Sequence, residues 1–289
     1  MASLQLYRRR IKSISSTRQI TKAMELVAAS KLRKAQDQAI KLREYASITN
    51  EFVRLLSSVV DPKSHPLLTA SDADVGSKKQ LIIVITSDRG LAGAYNSQLM
   101  RKIVEFESAK QGGTIEYITI GKKGQDFLTR RGMPIMATFT KFAPNPSTQD
   151  IAPIVQLASE GFLAKEYYSI HIAYTEFVST IKQVPQIIQL LPLQTPSSEL
   201  LEKPSEYRFE PNRDEVLEFI LPRALEMVIY GAILESIAAE HSSRMIAMKS
   251  ASDNAKDLVD DLQLTYNSVR QAKITQELAE IAIAAEAIT

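Results

Sequence analysis

The chain has 289 residues, 45% of them hydrophobic and 24% charged, and no cysteine. That is enough to bury a core, so disorder is not expected. Disulfide frameworks, thiolate metal sites and cysteine nucleophiles are excluded. The net charge of +2 hides an asymmetry: residues 1–60 carry twelve Lys/Arg against four Asp/Glu, and residues 213–289 carry seven against thirteen. Ends of opposite sign attract if they lie together, although such pairs are individually weak and screened by salt.

Taken in chain order, the first element is a long helix. Apolar positions step four, three, four, three along Ala28, Leu32, Ala35, Ala39, Leu42, Ala46, Thr49, Val53, Leu56 and Val60. This is the seam of a coiled coil, with many alanines for close approach. Before Ala28 the spacing through Met24 reads as a stutter. Residues 1–24 are basic, serine-rich and free of Asp and Glu, the composition of a transit peptide. The pattern continues past residue 24 without a break, which favours a basic helix of the mature chain. Asp61-Pro62 is expected to end that helix, giving a first domain over 1–60.

Residues 61–79 read as a polar linker. Next come a buried strand over 81–86, the loop Ser87-Asp88-Arg89-Gly90-Leu91-Ala92-Gly93, a helix over 97–110 and a strand over 114–120. A short helix over 125–130, a strand over 135–139 and a helix over 151–165 follow, with Pro144-Asn145-Pro146 as a loop. The strands over 168–177 and 184–193 lie close enough to pair antiparallel. The alternation predicts a Rossmann-like α/β domain with a mixed sheet over 78–195.

A second long helix occupies 210–289. Its seam is Leu217, Ile220, Ala224, Met227, Gly231, Leu234, Ala238, His241, Met245, Met248, Ser252, Ala255, Val259, Leu262, Tyr266 and Val269, again in threes and fours. Asn212 followed by Glu215 reads as a helix cap, and Pro222 as either a kink or the true start. Helices on the order of 80–115 Å cannot be buried by one small domain. They must bury each other or enter a partner. The predicted fold class is therefore α+β/α/β mixed: a long antiparallel coiled coil of the two ends, with the α/β domain inserted between them.

Chemistry is sparse. The loop 88–93 follows a strand and precedes a helix, a position where phosphate often binds. Yet it is neither GxGxxG nor GxxxxGK[ST], and Gly121-Lys122-Lys123-Gly124 has the wrong context for either. Both read as structural turns. His65, His171 and His241 are isolated and read as packing residues. Asp257, Asp260 and Asp261 read as a solvated helix face, so no metal site and no cofactor is assigned. The basic run Arg8-Arg9-Arg10, Lys12, Arg18 and Lys22 lacks interleaved aromatics, and an acidic protein partner explains it better than nucleic acid. No apolar stretch reaches the ~20 residues of a bilayer span.

Three segments carry a resemblance. One runs from Arg8-Arg9-Arg10-Ile11 through Ile20-Thr21-Lys22-Ala23-Met24-Glu25-Leu26-Val27-Ala28-Ala29-Ser30-Lys31-Leu32. Another is Ser87-Asp88-Arg89-Gly90-Leu91-Ala92-Gly93-Ala94-Tyr95-Asn96. The third extends from Glu240-His241-Ser242-Ser243-Arg244-Met245 through Asn254-Ala255 to Leu264-Thr265-Tyr266-Asn267-Ser268-Val269-Arg270-Gln271-Ala272-Lys273-Ile274-Thr275-Gln276-Glu277. In this order they resemble the γ subunits of bacterial F-type ATP synthases. Where that family has Gly-Ala near its C-terminus, this chain has Ala284-Ala285, which favours a longer helix. The cysteine-bearing regulatory insert of chloroplast γ has no counterpart.

The resemblance implies a rotor shaft inside the α3β3 hexamer, with the α/β domain beside the ε subunit and the membrane c-ring. It implies no independent catalysis and a place at the cytoplasmic face of the bacterial inner membrane. Lys22, Met24, Arg244, Arg270, Gln271, Thr275 and Glu277 would contact β, and Tyr207, Phe209 and Glu210 the c-ring. Residue patterns alone leave a non-rotary coiled-coil adapter open.

Overall fold

The computed structural model describes residues 4–59, 66–68, 79–109, 113–140, 142, 146–193, 210 and 212–286. Ten elements follow in chain order: α1 (Leu4–Val59), β1 (Gln80–Ile85), α2 (Tyr95–Ala109), β2 (Ile115–Ile120), α3 (Lys122–Arg130), β3 (Ile135–Phe139), α4 (Thr148–Leu163), β4 (Ser169–Phe177), β5 (Gln183–Leu191) and α5 (Arg213–Glu286). The chain forms two compact units. One joins Met1–Ala28 to Arg244–Thr289, and the other is Ala29–Ser243. Both long helices contribute a stretch to each unit.

The sheet belongs to the larger unit, in the order β3-β2-β1-β4-β5. The first four strands are parallel, and β5 returns antiparallel to β4. Both faces of the central strand β1 are covered, so its residues 81–85 are all apolar and all buried. The pleat sends Leu81, Ile83 and Ile85 to one face and Ile82 and Val84 to the other. Leu99, Met100 and Ile103 of α2 and Leu128 of α3 cover the second face. Ile151, Ile154, Ala158 and Phe162 of α4 share the first face with Leu221, Leu225, Ile229, Ala232 and Ile233 of α5. One stretch of α5 is thus a core helix of the domain as well as half of a helix pair. Its sequence reflects both duties, because residues 220–239 are apolar almost all round.

The caps follow local chemistry. Asn212 Oδ1 accepts the Glu215 N–H at 2.9 Å, and the Asn212 amide donates to Glu215 Oε1 at 2.5 Å, so α5 starts where the Asn/Glu spacing predicts. The helix continues through Pro222 without restarting there. At the start of α4 the Asp150 carboxylate accepts both the backbone N–H and the hydroxyl of Ser147, each at 2.8 Å. These bonds hold its carboxyl below the usual carboxylate range.

The helix pair is antiparallel. In the smaller unit Arg8 Nε donates to the Tyr266 hydroxyl at 2.8 Å, with the guanidinium 5.5 Å from the ring centre. In the larger unit a β carbon added at Gly231 would lie 3.8 Å from Leu42 Cδ2. Later positions on α1 meet earlier ones on α5. The seam of α5 is buried or half-buried at every position from Ile220 to Val269. On α1, Ala28, Leu32 and Ala35 are buried and Ala39 and Leu42 half-buried. Leu217 and the α1 seam residues Ala46, Thr49, Val53, Leu56 and Val60 lie outside the residues whose side chains are described, as do Asp61-Pro62.

One expectation is corrected. No stutter in burial precedes Ala28. The covered positions step back through Glu25, Thr21, Ile14, Ile11, Tyr7 and Leu4, with only Arg18 exposed on that stripe. This is the same three-four spacing. The phase was hidden because two of its residues, Thr21 and Glu25, are polar, while Met24 beside them is apolar and also half-buried.

Candidate functional site

In an open α/β sheet, ligands bind beyond the carboxyl ends of the strands where the strand order reverses. Here that point lies between β1 and β4. From β1 the chain winds outward through β2 and β3 on one side, and β4 lies on the other. The loop after β1 carries the segment 87–96, and its local bonds show how it is held. Asn96 Oδ1 accepts the Ser87 N–H at 3.1 Å, the Asn96 amide donates to Ser87 Oγ at 2.8 Å, and Ser87 Oγ reaches the Arg89 carbonyl at 2.7 Å. Leu91 and Gly93 both take positive φ, 60° and 55°, which turns the chain sharply into α2.

The neighbouring helix start, on α3, is satisfied from within. Thr86 Oγ1 accepts the Gly124 N–H at 2.8 Å, Asp88 Oδ1 accepts that of Lys122 at 3.0 Å, and the Ser87 carbonyl accepts that of Lys123 at 3.0 Å. These are the donors a phosphate would use. Gly121 opens the helix at φ 95°, and a β carbon there would meet the Thr86 carbonyl oxygen at 2.1 Å. Only glycine fits. Both glycine-bearing segments are therefore structural turns, as their sequences suggest.

The crevice itself is filled by the chain's own helix. Ala92, Tyr95 and Ala239 form a small buried cluster with Phe177 packed against it. Ser243 Oγ donates to the Ala92 carbonyl at 2.8 Å. Ser242 Oγ donates to the Thr180 carbonyl at 2.7 Å, at the tip of the β4–β5 hairpin. Seven residues before Ser243, Ser236 Oγ accepts the Thr175 N–H at 3.1 Å. That N–H lies on β4 beyond the last residue paired with β1, Ala173. In the sequence Ser242 and Ser243 fall within the third segment of the resemblance with no role attached to them, and Ser236 lies outside it. The available signal was three hydroxyls in a stretch of helix whose other polar residues are Glu235, Glu240 and His241.

The remaining predicted residues do not converge. His171, on β4, lies edge-on to Phe106 at 5.2 Å between ring centres, and His241 is buried on the α5 seam. His65 lies outside the described residues. Asp257, Asp260 and Asp261 are exposed. Among the described residues no group of three His, Asp or Glu is placed to hold a metal ion. Nor is any described helix long and apolar enough to cross a membrane.

The residues expected to touch partners fall in three places. Lys22 is exposed on α1 and paired to Glu25 at 2.9 Å, with Met24 half-buried beside it. Arg244 is buried at 9% exposure. Arg270, Gln271, Thr275 and Glu277 stand on the last turns of α5, where every described side chain from 270 to 285 is exposed. Glu277 lies 3.4 Å from Lys273. Glu210 is exposed at the foot of α5; Tyr207 and Phe209 lie outside the described residues.

Two long paired helices, one of which packs into an inserted α/β domain, define a class of helix-pair proteins with a mixed-sheet domain between the helices. A family described as ATP synthase matches residues 3–288. The ATP synthase gamma chain of Alkaliphilus metalliredigens is 42% identical over 99% of this chain and 98% of its own length. That of Brevibacillus brevis is 42% identical over 97% and 96%. In fold, the chain is similar to one in a cryo-EM structure of Euglena gracilis mitochondrial ATP synthase (TM-score 0.70, 19% identity, 99% and 94% covered). The chain belongs to the ATP synthase gamma chain family, whose members are non-catalytic subunits of that complex.

Proposed function

We propose that this chain is the central rotor shaft of an F1Fo ATP synthase, coupling proton-driven rotation of a membrane c-ring to the catalytic β subunits. The observation that carries this reading is the course of α5. It is packed into the α/β domain over 221–243, paired with α1 up to Val269, and bare from there to residue 285. A bare helical end on a braced helix pair suits insertion into a sleeve of α and β subunits. Arg270 and Gln271 offer a donor fork and an amide to β there, with Thr275 and Glu277 on the adjoining turns. Lys22, Met24 and Arg244 supply further β contacts. Tyr207, Phe209 and Glu210, with the domain beside ε, meet the c-ring loops at the cytoplasmic face of the bacterial inner membrane.

Similar proteins are described in their own structures as part of the rotor, and as part of the central stalk with the c-ring, which supports the assignment. Affinity purification of the tagged chain in mild detergent tests it. Recovery with α, β, ε and c is expected, and recovery alone or with unrelated partners would overturn it.

A further inference from the structure

A helix held to a domain only by apolar contacts can slide and turn in its groove, because such contacts have no direction. A helix that passes torque to a domain needs directional bonds as well. This requirement applies only if the chain turns as a rotor, the reading proposed above. Several described serines and threonines elsewhere on the long helices bond back to their own helix: Ser16 to Lys12, Thr17 to Ser13, Thr21 to Arg18, Thr265 to Asp261. Ser236, Ser242 and Ser243 do not. Each bonds to the backbone of the α/β domain, and each does so at a different place: β4 at Thr175, the hairpin tip at Thr180 and the loop after β1 at Ala92.

Ser236 and Ser243, seven residues apart, lie on one stripe of α5 about 10 Å apart along its axis. Ser242 points about 100° away. Turning the helix either way about its axis therefore strains one bond or another, and sliding it strains all three. Ser236 and Ser242 are buried at 1% and 0% exposure, so water cannot readily replace them. Gln183 Nε2 braces the hairpin end of the joint, donating to the Thr180 carbonyl at 2.7 Å and reaching Ser242 Oγ at 3.4 Å. Ser243 is also the last residue of the larger compact unit.

We infer that Ser236, Ser242 and Ser243 are the torque joint of the shaft: positioning residues that fix the azimuth of α5 in the α/β domain, so that rotation of the domain turns the helix without slip. The decisive experiment compares whole complexes carrying wild-type chain, the Ser242→Ala/Ser243→Ala double variant and Ser243→Thr in sealed vesicles. ATP hydrolysis and ATP-driven proton pumping are measured with and without an opposing pH gradient. The double variant is expected to hydrolyse ATP at near the wild-type rate, while protons pumped per ATP fall on the order of twofold against the gradient. Ser243→Thr, which keeps the hydroxyl, is expected to pump normally. If pumping and hydrolysis fall in proportion, or the ratio is unchanged, the joint is overturned. Should the double variant fail to assemble, Ser243→Cys, which keeps the volume and weakens the donor, is judged by the same ratio. A wild-type chain that joins no complex would overturn the rotor reading itself.

Discussion

Tyr167 shows what single residues contribute to this domain. It is fully buried, its ring lies so close to Gly161 that a β carbon there would sit 2.8 Å from it, and its hydroxyl donates to Glu116 Oε2 at 2.7 Å. Lys79 completes the group, 3.0 Å from Glu116 and 5.1 Å from the Tyr167 ring centre. The Tyr167 hydroxyl, foremost, and Lys79 hold the Glu116 carboxyl below its ordinary value, against the opposing effect of burial. A depressed carboxyl contributes stability that is present above its unfolded value and lost as pH falls through the folded one. Tyr167→Phe removes the largest cause. The variant is expected to be less stable than wild type at neutral pH, with the gap closing as pH falls below the ordinary carboxylate range. Urea unfolding at a series of pH values checks this, and a gap constant with pH would refute it. Gly121 sets a second residue-scale expectation. Gly121→Ala must move the Thr86 carbonyl and force alanine to positive φ. A loss of about 2–4 kcal/mol in chemical unfolding is expected.

Among the elements, most of the secondary structure was legible because its signals are local. The strand over 135–139 coincides with β3, and the other strands and helices are displaced by three residues or fewer at either end. Two things were not legible. Strand order is set by long-range packing, which a period-2 pattern does not encode. The seam spacing described α5 as half of a pair, yet Leu221, Leu225, Ile229 and Ile233 form a second stripe at helical spacing that faces the sheet. Overlap of the two stripes leaves no polar face to mark either. The turn at 87–93 was readable from its residues, but its partner Ser243, 151 residues later, was not. At the end of α5 the proposed β contacts give an element-scale expectation. Replacing both Arg270 and Gln271 by Ala removes two exposed side chains, so unfolding of the isolated chain should change by less than about 0.5 kcal/mol. Steady-state ATP hydrolysis and synthesis in the assembled complex should fall. Wild-type turnover in a fully assembled complex would show that these are ordinary surface residues.

Across the whole molecule, support for α5 thins toward its end. The domain and α1 cover it first, then α1 alone, and every described side chain from 270 to 285 is exposed. Past that point the described side-chain links are a Lys273–Glu277 pair and a Gln276–Glu280 bond, each typically worth a few tenths of a kcal/mol. A lone helix of this length is marginal in water, and Ile274, Leu278, Ile281 and Ile283 are all exposed on it. The consequence concerns the subunit's life before assembly. An orphan chain presents a fraying, sticky tail containing Arg270 and Lys273, both cleavage points for trypsin. Brief digestion of the free chain should clip there first and leave a resistant remainder, whereas a chain seated in its complex should keep its tail. A cell's proteases would then find in that tail a means of telling surplus copies from those in use.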